Sequence, residues 1–395
     1  MNDLHRHPAV ETPVKELPCE TTCRHTAAAH RSAVAAPAVR PGPRPATGRR
    51  PVRRPAHPAA GGPGRPQRDR RRRSPRRPGR DLRRGRPLER HAGTGDLRTN
   101  APVPRDGRWR IGSVTKTFVA ALVLKLADQN KFALDDPIDR HLPGLLPHGD
   151  RITVRMLLNH TSGVADYAAT FDETPAGLRR LAATTYTPRQ LIGIGTGLPP
   201  TSDPGARWAY SNTGYAALGL LIEKITGRSL SIALFTRLLA PQGLLATTLP
   251  TTARTIVGPH PHGYIRDENN RPEDITAFNP SNAWAAGALI STASNVNRFF
   301  DRLLHGQVLS SGSLAQMKRT VPAAPGFGYG LGLMKLTLTC GTTVWGHKGH
   351  IPGYATYSFH SDRRGITVAA TALPSSNDAA VDQAMNQALN AEFCG

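Results

Sequence analysis

An unbroken apolar run, Phe118-Val119-Ala120-Ala121-Leu122-Val123-Leu124, follows directly on Gly112-Ser113-Val114-Thr115-Lys116-Thr117. A helix that is apolar on nearly every side is buried through the middle of a domain. The pattern therefore predicts a central helix that opens at Ser113 and ends near Asn130-Lys131. A second helix is expected over 152–158, ending at Asn159-His160-Thr161-Ser162-Gly163 with Gly163 as a left-handed cap. Two more follow, one over 215–225 closed by Gly227 and one leading out of 287–292 through Phe299-Phe300 and Leu303-Leu304. Before Ser113, residues 94–100 read as a strand and turn, and 108–111 as a short strand. From Gly328 the pattern changes to strands: 329–338, 343–350, and a hairpin of 355–360 and 366–373 turning through Asp362-Arg363-Arg364-Gly365. A last helix is expected over 379–393. Residues 165–205 read as mixed helix and loop, and 240–282 as irregular. The expected fold class is α/β in the α+β sense. It has an antiparallel sheet flanked by helices, with an inserted, mainly helical part at about 135–285.

Charge adds a boundary. The chain of 395 residues carries a formal net charge of +23. Residues 1–90 hold 23 Lys+Arg against 7 Asp+Glu, so most of the excess lies there. From Arg31 to about Arg90 the chain is Arg, Pro, Ala and Gly with almost no large apolar residue. Such a tract cannot bury enough surface to offset its ordering entropy, so 1–91 is expected to be disordered and 92–395 to form the folded domain. A polybasic arm can hold a polyanion by counterion release, but no aromatic residue is interleaved for base stacking. No apolar run reaches the ~18 residues of a membrane span, and the first thirty residues hold no signal-type apolar stretch. Cys19 and Cys23, with His25 and His30 nearby, have no second ligand pair at zinc-finger spacing, so no metal or cofactor is expected. Cys340 and Cys394 read equally well as a disulfide or as two buried thiols.

The chemistry gathers at Ser113 and Lys116. Three residues apart on a helix, they share one face. A serine hydroxyl is a poor nucleophile until a base takes its proton, and a lysine in a dry pocket loses enough charge to do so. A free helix N-terminus supplies N–H groups for an oxyanion. Ser-x-x-Lys alone is a weak motif, a lone Tyr before a helix is usually packing, and a lone His on a strand is usually a core residue. Here, however, Ser113-x-x-Lys116, Tyr210-x-Asn212 and His347-x-Gly349 occur in one order along the chain.

That order resembles the serine D-alanyl-D-alanine carboxypeptidases of the Streptomyces DD-peptidase type, within the class C β-lactamase and penicillin-binding protein family. The likeness runs from about Ala92 to Gly395. It is carried further by Leu157-Leu158-Asn159-His160-Thr161-Ser162-Gly163, Gly328-Tyr329-Gly330-Leu331-Gly332-Leu333 and Phe393-Cys394-Gly395. The resemblance implies a secreted serine carboxypeptidase acting through an acyl-serine on peptidoglycan stem peptides, with β-lactams as mimics. Ser113 would be the nucleophile, and Lys116 and Tyr210 would share the proton traffic. Asn212 would hold Lys116 and the substrate amide, and His347 would add a third donor opposite the serine. Gly349 would leave the strand bare for substrate, and the backbone N–H groups of Ser113 and His350 would form the oxyanion hole. Cys340 and Cys394 would form the family's disulfide. Where the carboxypeptidases place an arginine for the substrate's terminal carboxylate, this chain has Met334. Lys348 is expected to supply that charge instead, with His350 helping.

Three functions stay in play: the carboxypeptidase; a β-lactamase, esterase or D-amino-acid amidase on the same scaffold; and a non-catalytic polyanion-binding protein. Family members begin with a secretion signal, a helix and two strands, where this chain has its Arg/Pro tract. Residues 1 to about 90 are therefore read as a mis-framed translation, with a basic tail for anionic cell-wall polymer as the alternative.

Overall fold

The computed structural model describes residues 92–371 and 379–395, which fall in one compact unit, Arg83–Gly395. The basic tract, Cys19 and Cys23 lie outside the described residues. Three short strands come first: β1 (Thr94–Asp96), β2 (Ala101–Pro102) and β3 (Trp109–Arg110). A single 3-10 turn, Gly112–Val114, then leads into α1 (Thr115–Asp128). Every residue of α1 from Thr115 to Leu124 is buried, as its all-round apolar pattern requires. Asn130, in the left-handed region at φ 55°, turns the chain out of it.

The next stretch is mainly helical: α2 (Val154–Leu158), α3 (Pro175–Ala183), α4 (Pro188–Thr196), α5 (Asn212–Thr226) and α6 (Leu230–Leu234). Ser211 caps α5 by accepting from the Gly214 N–H, and Gly227 closes it at φ 62°. A hairpin, β4 (Tyr264–Arg266) with β5 (Pro272–Asp274), precedes α7 (Trp284–Gly287) and β6 (Ile290–Ser291). Strand β6 pairs with β3, which ties the approach to Ser113 to the end of the helical stretch. Then come α8 (Ala293–Leu304) and α9 (Ser311–Met317).

The main sheet is antiparallel, with strand order β12-β11-β10-β9-β8-β7. Its strands are β7 (Val321–Ala324), β8 (Phe327–Tyr329), β9 (Met334–Thr337), β10 (Thr343–Ile351), β11 (Tyr354–His360) and β12 (Gly365–Ala370). The single strand expected over 329–338 is two strands broken at Gly330-Leu331-Gly332. Leu331 and Leu333 both go into the main core, and Gly332, at φ +70°, brings its backbone against α1, where its carbonyl accepts from Thr117 Oγ1 at 2.8 Å. That excursion takes the chain off the strand line.

Two apolar cores sandwich the sheet. The larger joins α1, α5, α7 and α8. The smaller lies between strands β8–β11 and the last helix, α10 (Ala379–Cys394), which contributes Met385 and Leu389. Cys340, in the turn before β10, is disulfide-bonded to Cys394 at the end of α10. This is the α+β arrangement of an antiparallel sheet flanked by helices.

Candidate active site

Ser113 is half-buried in the 3-10 turn just ahead of α1. Gly112, at φ +53°, lets that turn press against β10: a Cβ there would lie 2.7 to 2.9 Å from backbone atoms of His350. Gly349 makes the reciprocal approach, with its Cβ direction filled by Ile111 O at 2.1 Å and by the Ser113 and Val114 nitrogens at 3.0 Å. The sequence reading left Gly349 bare for substrate; in the fold it is bare because the Ser113 turn occupies the space.

Lys116, one turn into α1, is fully buried. Its Nζ is 3.0 Å from Ser113 Oγ, 2.7 Å from Asn212 Oδ1 and 2.8 Å from Ala286 O. As an ammonium it donates to all three. Burial lowers its pKa from 10.5 to about 7, with the Asp166 charge working in the opposite direction. The neutral amine keeps two N–H groups, which suit Asn212 Oδ1 and Ala286 O, and its lone pair is then left for the Ser113 hydroxyl. Nζ also lies 4.8 Å from the Tyr210 ring centre. Burial holds the Tyr210 phenol protonated, well above its ordinary range, although its hydrogen bond with Ser113 works against that. Burial thus favours the protonated phenol at Tyr210 and the neutral amine at Lys116.

Asn212 opens α5. Its Nδ2 donates to Asp166 Oδ2 at 2.9 Å and its backbone N–H to Asp166 Oδ1 at 3.1 Å. One of its two amide protons is thus committed to a carboxylate.

His347 differs from expectation. It is buried, its Nδ1 is 2.5 Å from Lys348 O, and its Nε2 is 2.8 Å from Tyr329 Oη. A carbonyl only accepts, so Nδ1 carries the proton and Nε2 accepts from the phenol. Burial and the nearby Lys116 push its pKa down to about 3. Both ring nitrogens are engaged by protein groups, Nδ1 by Lys348 O and Nε2 by Tyr329 Oη.

The side chains of Lys348 and His350 also depart from expectation, because successive residues of a strand point to opposite faces. His347 and Gly349 face the Ser113 side. Lys348 lies over the Tyr357 ring at 4.6 Å, and His350 Nε2 is 3.1 Å from Asp382 Oδ1 of α10. Tyr357 Oη donates to the same carboxylate oxygen at 2.8 Å. Neither side chain faces Ser113; it is the His350 backbone that reaches the serine turn. Met334, at the clamp position, is buried in the smaller core.

The beta-lactamase family matches residues 80–392. This chain belongs to that family. Members of the family are serine hydrolases, among them amidases, peptidases and esterases. Among solved structures, the chain is similar to a D-stereospecific amidohydrolase from Streptomyces at 36% identity and TM-score 0.68, covering 74% of this chain and 88% of that one. It is similar to the D-amino acid amidase of Ochrobactrum anthropi SV3 at 26% identity and TM-score 0.68, covering 76% and 88%. Among curated relatives, penicillin-binding protein 4 of Amycolatopsis lactamdurans is 30% identical over 288 residues, 68% of this chain and 71% of the relative. Against penicillin-binding protein 4* of Bacillus subtilis, at 26% identity, the chain spans only 60% of the relative's length.

Sequence reasoning missed four groups that this beta-lactamase family member brings to the site: Asp166, His160, Tyr329 and the Ala286 carbonyl. His160 sits at φ 63° with its ring 4.3 Å from Tyr210 and 4.6 Å from Tyr329, and its Nδ1 accepts from the Ser211 N–H at 3.2 Å. Burial holds it neutral. His160 and Tyr329 stood inside stretches already singled out, but nothing local marked them as neighbours of Tyr210. Among the described residues no group of His, Cys, Asp and Glu is placed to hold a metal ion, and no helix is long and apolar enough to cross a membrane.

Proposed function

We propose that this protein is a serine amidohydrolase that works through an ester on Ser113, and that its preferred acyl donors are D-residue amides lacking a charged C-terminus. The observation that carries the mechanism is the three-acceptor setting of Lys116 Nζ. With two N–H groups held by Asn212 Oδ1 and Ala286 O, the lone pair of the neutral amine points at Ser113. The serine oxygen attacks the amide carbon as its proton passes to Lys116. The negative oxygen would sit between the backbone N–H groups of Ser113 and His350, where each donor contributes roughly 3 kcal/mol. The C–N bond then breaks, and the leaving nitrogen takes a proton from the Tyr210–Lys116 pair. Water hydrolyses the ester by the reverse proton path and frees the serine.

The substrate class rests on the placement of Lys348 and His350 on the α10 face of β10, which leaves a terminal carboxylate without the expected cation. The D-configuration is supported by the names of the Streptomyces and Ochrobactrum relatives. The second reading is the D-Ala–D-Ala carboxypeptidase acting on peptidoglycan stem peptides, supported by the motif order and the penicillin-binding relatives. The Cys340–Cys394 disulfide supports an oxidising, extracytoplasmic setting for either.

Parallel kinetics on D-alanine amide and on a peptide ending in D-Ala–D-Ala with a free carboxylate decide between them, alongside labelling by a fluorescent penicillin. Amide turnover at least tenfold the more efficient in kcat/KM supports the amidohydrolase. The opposite ranking makes it a carboxypeptidase. Rapid release of the penicillin label would point to a β-lactamase.

A further inference from the structure

The side-chain amide of Asn212 has two ends of nearly equal shape, and the chemistry at Ser113 depends on which one meets Lys116. With Oδ1 toward Nζ, the amide accepts a hydrogen bond from an amine N–H and leaves the amine's lone pair free. Turned over, Nδ2 would donate to that lone pair in competition with the Ser113 hydroxyl. An ammonium would enforce the first orientation by itself. A neutral amine, the form needed to accept the serine's proton, would not, because it can both donate and accept.

Asp166 removes the choice. A carboxylate only accepts, and Asp166 Oδ2 accepts a hydrogen bond from the Asn212 Nδ2–H at 2.9 Å. The carboxylate is itself fixed, because Oδ1 accepts from the Asn212 backbone N–H at 3.1 Å and from the Ala168 N–H at 3.1 Å. The rest of its loop is tied to the residues on either side of Asn212: Ala165 O accepts from Ser211 Oγ and Thr213 Oγ1, and Thr213 Oγ1 accepts from the Tyr167 N–H. We propose that Asp166 is a positioning residue for the acylation step, locking the Asn212 amide with Oδ1 toward Lys116 so that the lysine lone pair is left for Ser113. This rests on the reading of Lys116 as the base. Tyr210, Tyr215, His160 and His347 also surround Lys116, but burial keeps both phenols protonated and both imidazoles neutral. Asp166 thus supplies the negative charge felt there, opposing the burial that lowers the Lys116 pKa.

The test is the rate of acylation by a fluorescent penicillin from pH 5 to 10, with melting curves, for wild type, Asp166→Asn and the exchange D166N/N212D. The single variant should acylate roughly 10- to 100-fold more slowly, as misplacement of a reacting group does. Its acid limb should also move to lower pH, because the charge that supported the ammonium is gone. The exchange should recover part of the rate at high pH and carry the acid limb above the wild-type position, since a carboxylate then touches Nζ directly. A single-variant rate within threefold of wild type, or a slower rate with an unmoved limb and a lower melting temperature, would overturn the proposal. If wild type is not acylated by the penicillin, the same comparison is made on kcat/KM for D-alanine amide, and a wild type inactive on both ends the reading of Lys116 instead. The Asn212 lock is then judged by NMR: an Nδ2 proton slow to exchange in wild type and fast in Asp166→Asn supports it, and equal exchange refutes it.

Discussion

Replacing Gly349 by alanine should cost this protein its chemistry before it costs its fold. A Cβ at 349 would stand 2.1 Å from Ile111 O and 3.0 Å from the Ser113 and Val114 nitrogens. A carbon needs about 3.3 Å from a carbonyl oxygen, so either the strand or the serine turn must retreat by roughly 1 Å. All three obstructing atoms are backbone, and Ile111 is itself held by its N–H bond to Leu289 O at 3.0 Å. No side chain can swing aside. Forcing a group into such a space typically costs about 1–3 kcal/mol of stability, which a domain with this much buried core tolerates. The same ångström falls between Ser113 and the His350 backbone, where a misplacement of that size costs on the order of 100-fold in rate. Gly193→Ala is the matched control. Nothing lies within 4 Å of its Cβ direction, it sits in α4, and alanine there should stabilise by about 0.5–1 kcal/mol. Burst kinetics with a fluorescent penicillin and thermal melts on the two variants make the comparison. Acylation of Gly349→Ala within threefold of wild type would refute the tight seating of β10 on the serine turn.

Three further outcomes follow from the geometry. Lys348→Ala should leave KM unchanged, within about twofold, for both a D-alanine amide and a D-Ala–D-Ala peptide, while lowering the melting temperature through loss of its stacking on Tyr357; a tenfold rise in KM for the carboxylate substrate alone would restore it as a clamp. The acid limb of kcat/KM should lie near pH 7, activity rising as Lys116 loses its proton; a limb near pH 4 would assign the base elsewhere. Reduction of Cys340–Cys394, which closes a sequence separation of 54, should cost up to about 4 kcal/mol by the chain-entropy argument and loosen α10 first; hydrogen exchange by mass spectrometry would show protection lost across α10 and β12, and unchanged exchange there would contradict it.

The sequence carried the parts of the site whose spacing is local. Ser113 and Lys116 fall on one helix face, and Tyr210-x-Asn212 announces itself as the entry to α5 after Pro204-Gly205. The parts it concealed are contacts between loops. Asp166 lies 46 residues before Asn212, in a stretch with no regular period, and the Ala286 carbonyl is 170 residues from Lys116. No pattern in the amino-acid order links them. The placement of Lys348 and His350 was concealed for a different reason: the motif taken as a string of neighbours sets them beside Ser113, whereas a strand divides neighbours between two faces. Parity alone, with His347 and Gly349 on one face, would have sent Lys348 and His350 to the other.

The same parity explains why the far face of β10 is so polar for a surface packed under a helix. The strand packs Trp345 and Ile351 against the main core on the Ser113 face, but at Gly349, where it meets the serine turn, it has no side chain to hold the spacing. Its restraint has to come from behind. His350 and Tyr357 both reach Asp382 in the first turn of α10, and Cys340–Cys394 pins the other end of that helix to the turn that leads into β10. Between these two anchors Met385 and Leu389 fill the smaller core. The C-terminal helix therefore acts as a splint. It bears on the face of β10 turned away from Ser113, and it holds the His350 backbone against the serine turn.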